Sequence, residues 1–175
     1  TVVDPTADNT ITLTDDSGDV ILGKFGGTNF SDSILIGTTS TGTLNSATDN
    51  IGIGSDALRD ISSGDQNVAI GTNAGRAIAT NSYNTFIGRN AGVNASGTTN
   101  VGIGPNALEA ASFSGGANMA IGFGAGSSVT TGEFNTFIGK EAGDNVTTGD
   151  GNMILGGGVD ATSATGDRQL KIAGY

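Results

Sequence analysis

The chain contains no cysteine, no histidine and no tryptophan, and only two of its 175 residues are proline. Each absence excludes something. Without histidine and cysteine there is no Ser-His-Asp triad, no Cys-His pair and no zinc site of the usual kind. Disulfides cannot hold the fold, and cysteine usage is silent about the redox compartment. Scarce proline, and glycine that does not fall at every third residue, exclude collagen. No apolar run reaches the roughly 18 residues of a transmembrane helix. Cations are sparse: 7 Lys and Arg stand against 17 Asp and Glu, a net charge of −10. Such a chain repels nucleic acid and anionic lipid. The acids are scattered, as on a solvated surface. With no signal-peptide pattern and a start at Thr1, the expectation is a mature product or a piece of a longer chain.

What is present is glycine, 31 residues of it, arranged in a repeat. The unit N-x-x-I-G begins at Asn50, Asn67, Asn84, Asn100, Asn118 and Asn135, and Asn152 opens the variant N-M-I-L-G. The steps are 16 to 18 residues. Ser33 and Gln169 extend the register, giving units that start near 33, 50, 67, 84, 100, 118, 135, 152 and 169. Three residues after the Gly comes Ala57, Ala74, Ala91, Ala107, Ala125 or Ala142, and Thr/Ser/Gly turns such as T-T-G at 130–132 follow. A unit this short and this rich in turn formers cannot be a pair of helices, because Gly costs about 1 kcal/mol per helical position. Short strands bounded by Gly, Asn and Thr fit. The expected fold is all-β: a parallel β-solenoid (β-roll or β-helix) of about 17-residue coils, each stacking like on like. Residues 1–30 are set apart as an N-terminal hairpin or cap and 31–175 as the repeat domain. In the former, T-I-T-L-T at 10–14, D-D-S-G at 15–18 and D-V-I-L-G at 19–23 read as strand, turn and strand.

With the Asn as position 0, alternation puts positions 1 and 3 on one face of the strand. Position 3 holds Ile53, Ile70, Ile87, Ile103, Ile121, Ile138 and Leu155, and these are the expected core. The Asn residues are expected to form a ladder: Asn50, Asn67, Asn84, Asn100, Asn118, Asn135 and Asn152. The Gly at position 4 is expected to serve a sharp bend with positive φ or a close coil-to-coil approach. Position 2 reads Gly52, Ala69, Phe86, Gly102, Ala120, Phe137, a superperiod of three units. Leu58 and Leu108 follow the Gly units in the same phase. With the Ile face taken as core, Phe86 and Phe137 point the other way and are expected at a subunit contact, around a threefold axis. Three faces of one wide turn in a monomer would give the same superperiod.

The N-x-x-I-G-x-x-A-G unit with its T-T-G turns resembles two families. One is the head of trimeric autotransporter adhesins, whose repeats centre on an A-I-G core like that at 69–71 and 120–122. The other is the repeat region of bacteriophage tail fibres, which G-D-R-Q-L-K-I at 166–172 and the entry segment T-I-T-L-T-D-D-S-G also resemble. The resemblance covers about residues 30–172. It implies a homotrimeric left-handed β-roll that serves as a virion-borne or cell-surface stalk or head. The partners it implies are other virion or fibre proteins and a host receptor, the latter reached through a neighbouring region. The longer repeat tilts the reading toward a tail fibre in the virion, with a bacterial adhesin head that binds host matrix as the alternative.

Chemistry finds little support in the residues. Three Glu (Glu109, Glu133, Glu141) and no Trp argue against a sugar-cleaving groove with paired carboxylates. The nonapeptide calcium repeat is missing, although the turns at 49–50 and 148–152 carry oxygen ligands. Thr85 and Thr136 share a column with Val, Ile and Met, which is no ice-binding Thr row. Tyr83 and Phe134 could stack on sugars, but parity assigns them to the Ile face and a core role. Asn29, Asn94 and Asn145 head N-x-Ser/Thr sequences that matter only in a eukaryotic secreted protein. No enzyme activity, cofactor, metal, nucleic-acid partner or membrane insertion is expected.

Overall fold

The computed structural model describes residues 10–14, 20–25, 30–37, 44–110 and 112–173. The described residues form thirteen strands and no helix. An antiparallel pair, β1 (Thr10–Thr14) and β2 (Val20–Phe25), opens the chain. The connecting turn and Asn29 lie outside the described residues. β2 then pairs antiparallel with β4 (Ile34–Ile36), so the hairpin covers the edge of the first coil. β3 (Phe30–Ser31) and β5 (Ala47–Thr48) form a small parallel pair beside it.

From β4 onward the chain is a parallel β-solenoid of about eight turns. β6 (Ile51–Ile53), β7 (Val68–Ile70), β8 (Thr85–Ile87), β9 (Val101–Ile103), β10 (Met119–Ile121), β11 (Thr136–Ile138), β12 (Met153–Leu155) and β13 (Leu170–Ile172) add one strand per coil. The register is like on like: Ile53 beside Ile70, Ile70 beside Ile87, Ala120 beside Phe137. Hydrogen bonds between coils continue outside the strands, as from Asp60 N–H to the Arg76 carbonyl and Thr130 N–H to the Thr147 carbonyl.

Each coil turns its corners at positive-φ positions. Position 4 carries Gly54, Gly71, Gly88, Gly104, Gly122, Gly139 and Gly156, with φ between 124° and 137°. Here both reasons for glycine hold. A β-carbon on Gly71 would stand 2.7 Å from the carbonyl carbon of Gly88 in the next coil, closer than real contacts allow. Positions −1, 6 and 8 supply further left-handed residues, several of them not glycine: Asn73, Asn90 and Asn106 at position 6, and Leu58 and Leu108 at position 8.

The core lies on the opposite face from the one expected. Position 2 points inward: Gly52, Ala69, Phe86, Gly102, Ala120, Phe137 and Ile154 are buried, and Phe86 and Phe137 have no exposed surface at all. The expected core points outward. Ile53, Ile70 and Ile138 are exposed, and Ile87, Ile103, Ile121 and Leu155 are half-buried. The reason is volume. The inside of a coil is too narrow for a large branched side chain at every level, and position 2 is filled jointly with position 8 across the coil. The pairs are Gly52 with Leu58, Ala69 with Gly75, Phe86 with Gly92, Gly102 with Leu108, Ala120 with Gly126, and Phe137 with Gly143. A β-carbon on Gly126 would stand 2.7 Å from the Phe137 ring, and one on Gly102 would stand 2.9 Å from the Phe86 ring. One on Gly92 or Gly143 would overlap Phe86 or Phe137 outright. The superperiod of three units is therefore an alternation of large and small groups inside one chain, as close-packed interiors require. It marks no threefold axis, and the contact of Phe86 and Phe137 is internal.

A column of Ala57, Ala74, Ala91, Ala107, Ala125 and Ala142 and a second one of Ile61, Ile78, Ala95, Phe113, Val129 and Val146 complete the buried interior. The coil from Asn84 has 16 residues and carries Ala95, and the coil from Asn100 has 18 and carries Phe113. The two residues pair as an isolated bridge, so the long coil brings a large ring over the small residue of the short one.

Candidate functional site

Two features run the length of the solenoid, and they do different work. The first is the Asn ladder. In each step, both the backbone N–H and the side-chain Nδ2 of one Asn donate to the Oδ1 of the Asn in the preceding coil. From Asn67 to Asn50 the distances are 3.0 and 3.1 Å, and from Asn135 to Asn118 both are 3.0 Å. The same Nδ2 also donates across its own coil, as from Asn67 to the Asn81 carbonyl at 2.9 Å and from Asn118 to the Gly132 carbonyl at 2.9 Å. Asn135 does the same with the Gly149 carbonyl at 2.9 Å. The seven Asn side chains are buried and polar, so these bonds are what makes their burial tolerable. Ser33 begins the stack by accepting from Asn50 N–H, and Gln169 ends it by donating to Asn152 Oδ1 at 3.1 Å. This row is saturated internally and has nothing left for a ligand.

The second feature is the outward face of the sheet. Positions 1 and 3 form two columns along nine parallel strands, from Ile34 and Ile36 to Leu170 and Ile172. Twelve large hydrophobic residues are exposed among the described residues, and nine of them lie on this face. At about 4.8 Å per coil the columns run roughly 40 Å, enough for an apolar patch on the order of 400 Å², an extent at which such patches are often functional. The face carries no charged side chain, and its half-buried members include Val68, Val101, Thr85 and Thr136.

Sequence reasoning missed three features. Asn73, Asn90 and Asn106 make a second stack on the outer wall, with Asn73 Nδ2 donating to Asn90 Oδ1 at 3.1 Å. A row of side-chain acceptors at position −2 also ties coil to coil. Asp65 accepts from Thr48 N–H, Ser82 from Asp65 N–H, Asp150 from Glu133 N–H and Asp167 from Asp150 N–H, at 2.8 to 2.9 Å. Tyr83 and Phe134, expected in the core by parity, are 58% and 67% exposed. Parity fails there because position −1 has positive φ, 64° at Tyr83 and 57° at Phe134, which breaks the alternation just before the strand.

Among the described residues, titration is perturbed at one carboxyl. Asp144 is held above the usual carboxylate range by partial burial first, then by a hydrogen bond to Asp160 and by the charges of Asp160 and Glu141. Among the described residues no three acidic side chains converge so as to hold a metal ion.

Comparison with known proteins yields no match: no family model, no curated protein and no solved structure aligns with the chain.

Proposed function

We propose that the chain is a structural segment of a trimeric virion appendage, a rigid shaft or head in a phage tail fibre. The observation that carries this reading is the division of labour between the two faces of the sheet. The interior of each coil is complete without help from another chain, yet the outer face offers two continuous columns of Ile, Val, Met and Thr. Apolar surface of this extent gains about 25 cal/mol per Å² when covered. A second and third copy present the same columns at the same repeat of about 4.8 Å, which makes the chain its own best complement. The parallel stack of coils gives stiffness, and the repeat resembles that of tail fibres. The bacterial adhesin head shares the architecture and is the alternative; specific binding of the chain to host matrix protein would favour it.

The test is mass in solution by light scattering, on the chain and on Ile70→Lys/Ile121→Lys. Three times the chain mass for the first and one for the second, with unchanged β-sheet circular dichroism, is the expected result. A wild-type monomer overturns the trimer.

A further inference from the structure

We propose that the cleft at Phe134 is a binding subsite for a neutral pyranose. It goes beyond the scaffold reading, because it gives the outer wall of the solenoid a ligand of its own, and it does not depend on the number of chains.

The cleft is open, has a volume of about 380 Å³ and is lined by Phe134, Asp150, Gly151, Asp167 and Arg168. That is in the lower part of the range for small-ligand sites, roughly 300–1,000 Å³. Its shape follows from the repeat. Phe134, Gly151 and Arg168 occupy position −1 in three successive coils. Gly151 adds no side chain between Phe134 and Arg168, and the Arg168 Cγ lies 3.5 Å from where a Gly151 β-carbon would stand. Asp150 and Asp167, one position earlier, border the same cleft. Each has one carboxylate oxygen fixed by a backbone N–H of the preceding coil, from Glu133 and Asp150 respectively, both at 2.8 Å. The second oxygen of each remains as an oriented acceptor. Arg168 makes no ion pair with the described residues and offers its donors freely.

Phe134 is out of place on structural grounds. Position −1 requires positive φ in every coil from Asp32 to Arg168, which glycine or a small polar residue meets best, and Gly151 shows that glycine is accepted there. A bulky ring with φ of 57° is strained, and 67% of it faces water. Tyr83 shares both the φ and the exposure, so what sets Phe134 apart is the cleft beside it and the two carboxylates that border that cleft. The chemistry then selects the ligand. A cation would meet Arg168, and an anion would meet Asp150 and Asp167. A neutral sugar needs an apolar wall for its C–H face, acceptors for its hydroxyl hydrogens and donors for its hydroxyl oxygens, and all three are present. Tyr83 is an internal control. It is exposed in the same column three coils earlier, but the residues equivalent to Asp150 and Asp167 there are Thr98 and Gly116.

The experiment is saturation-transfer NMR on the full chain with methyl glycosides of glucose, galactose, mannose and N-acetylglucosamine at millimolar concentration. At least one glycoside should receive saturation from aromatic protons. Phe134→Gly should weaken it by about tenfold or more while the melting temperature holds or rises. Asp167→Asn, which keeps the acceptor for Asp150 N–H, should weaken it less, and Tyr83→Gly should leave it unchanged. No transfer to any of the four glycosides overturns the proposal, as does transfer that survives Phe134→Gly. Tetramethylammonium chloride displacing the sugar signal, or binding where no glycoside does, would make the cleft a cation site and overturn it. Loss of assembly in Phe134→Gly would make the ring a subunit contact and overturn it too.

Discussion

Phe86 and Gly92 face each other across the inside of one coil, and the ring occupies the space that a β-carbon on Gly92 would need. Two coils earlier Gly52 and Leu58 hold the same two positions the other way round: Leu58 lies 3.5 Å from where a Gly52 β-carbon would stand, and Leu35 of the preceding coil takes the rest of that space. The two solutions should be exchangeable. Phe86→Gly alone leaves a cavity and is expected to cost about 3–5 kcal/mol or more. Gly92→Leu alone overfills the coil. The double variant recreates the Gly/Leu pair, and its introduced leucine can take the conformation that Leu58 already adopts at φ 51°. Denaturant unfolding of the four proteins should give a favourable coupling of about 2–3 kcal/mol. Additive costs would refute the volume pairing.

The ladder predicts position-dependent costs. Asn100→Ala removes the acceptor of two Asn118 donors and the donor to the Gly115 carbonyl, all buried. Leaving buried groups unpaired costs about 1–3 kcal/mol each, so a loss of at least about 3 kcal/mol is expected. Gln169→Ala, at the half-exposed end of the row, should cost less than Asn100→Ala, because its bonds with Asn152, Ser163 and Gly166 lie where water can replace the lost partner. Equal costs at both positions would mean that the ladder does not act as a buried network.

Two glycines with positive φ should respond differently to alanine. Gly88 has φ of 133°, and a β-carbon there would stand 2.6 Å from the Gly104 carbonyl carbon. Gly158 has φ of 65° and open space around it. Gly158→Ala should cost about 1–2 kcal/mol from backbone conformation alone. Gly88→Ala should cost more, because a neighbouring coil must shift as well. Thermal melts of both variants decide; a Gly88→Ala as stable as Gly158→Ala would contradict the close approach of the coils.

Asp144 makes stability depend on pH in a defined direction. Its folded-state pKa is raised, so the folded chain holds that proton more tightly than the unfolded chain. The stabilising contribution is complete below the ordinary Asp value of about 3.9 and is lost as pH rises through the raised value. Asp144→Asn should remove that loss. Melting temperatures across the acidic range should fall less with rising pH in the variant, and an unchanged profile would show that Asp144 is not the group responsible.

The fold was legible because the Asn, Ile and Gly of each unit recur at one spacing, and only a stacked β-coil keeps that spacing in register. Which face was inside was not legible from hydrophobicity. Ile53 and Ile70 are the more apolar residues, yet Gly52 and Ala69 are the buried ones. Alternation tells two faces apart without saying which is closed off, and here the interior selects for size. The signal was present in the pairing of Gly52 with Leu58 and Phe86 with Gly92, where large answers small six residues away. Phe134 was hidden for another reason: its positive φ breaks the two-residue period on which the parity argument depends.

The coil-on-coil stack sets a low rate of extension. An α-helix advances about 1.5 Å per residue, whereas a coil of about 17 residues advances about 4.8 Å, or about 0.3 Å per residue. A gene that needed only reach would encode a helix and cover the same length with about a fifth of the sequence. What the additional residues supply is circumference: every coil exposes a fresh row of outer-wall positions that the interior does not constrain. Those positions are where the chain can vary without disturbing its stack, so new binding chemistry can be written there one coil at a time.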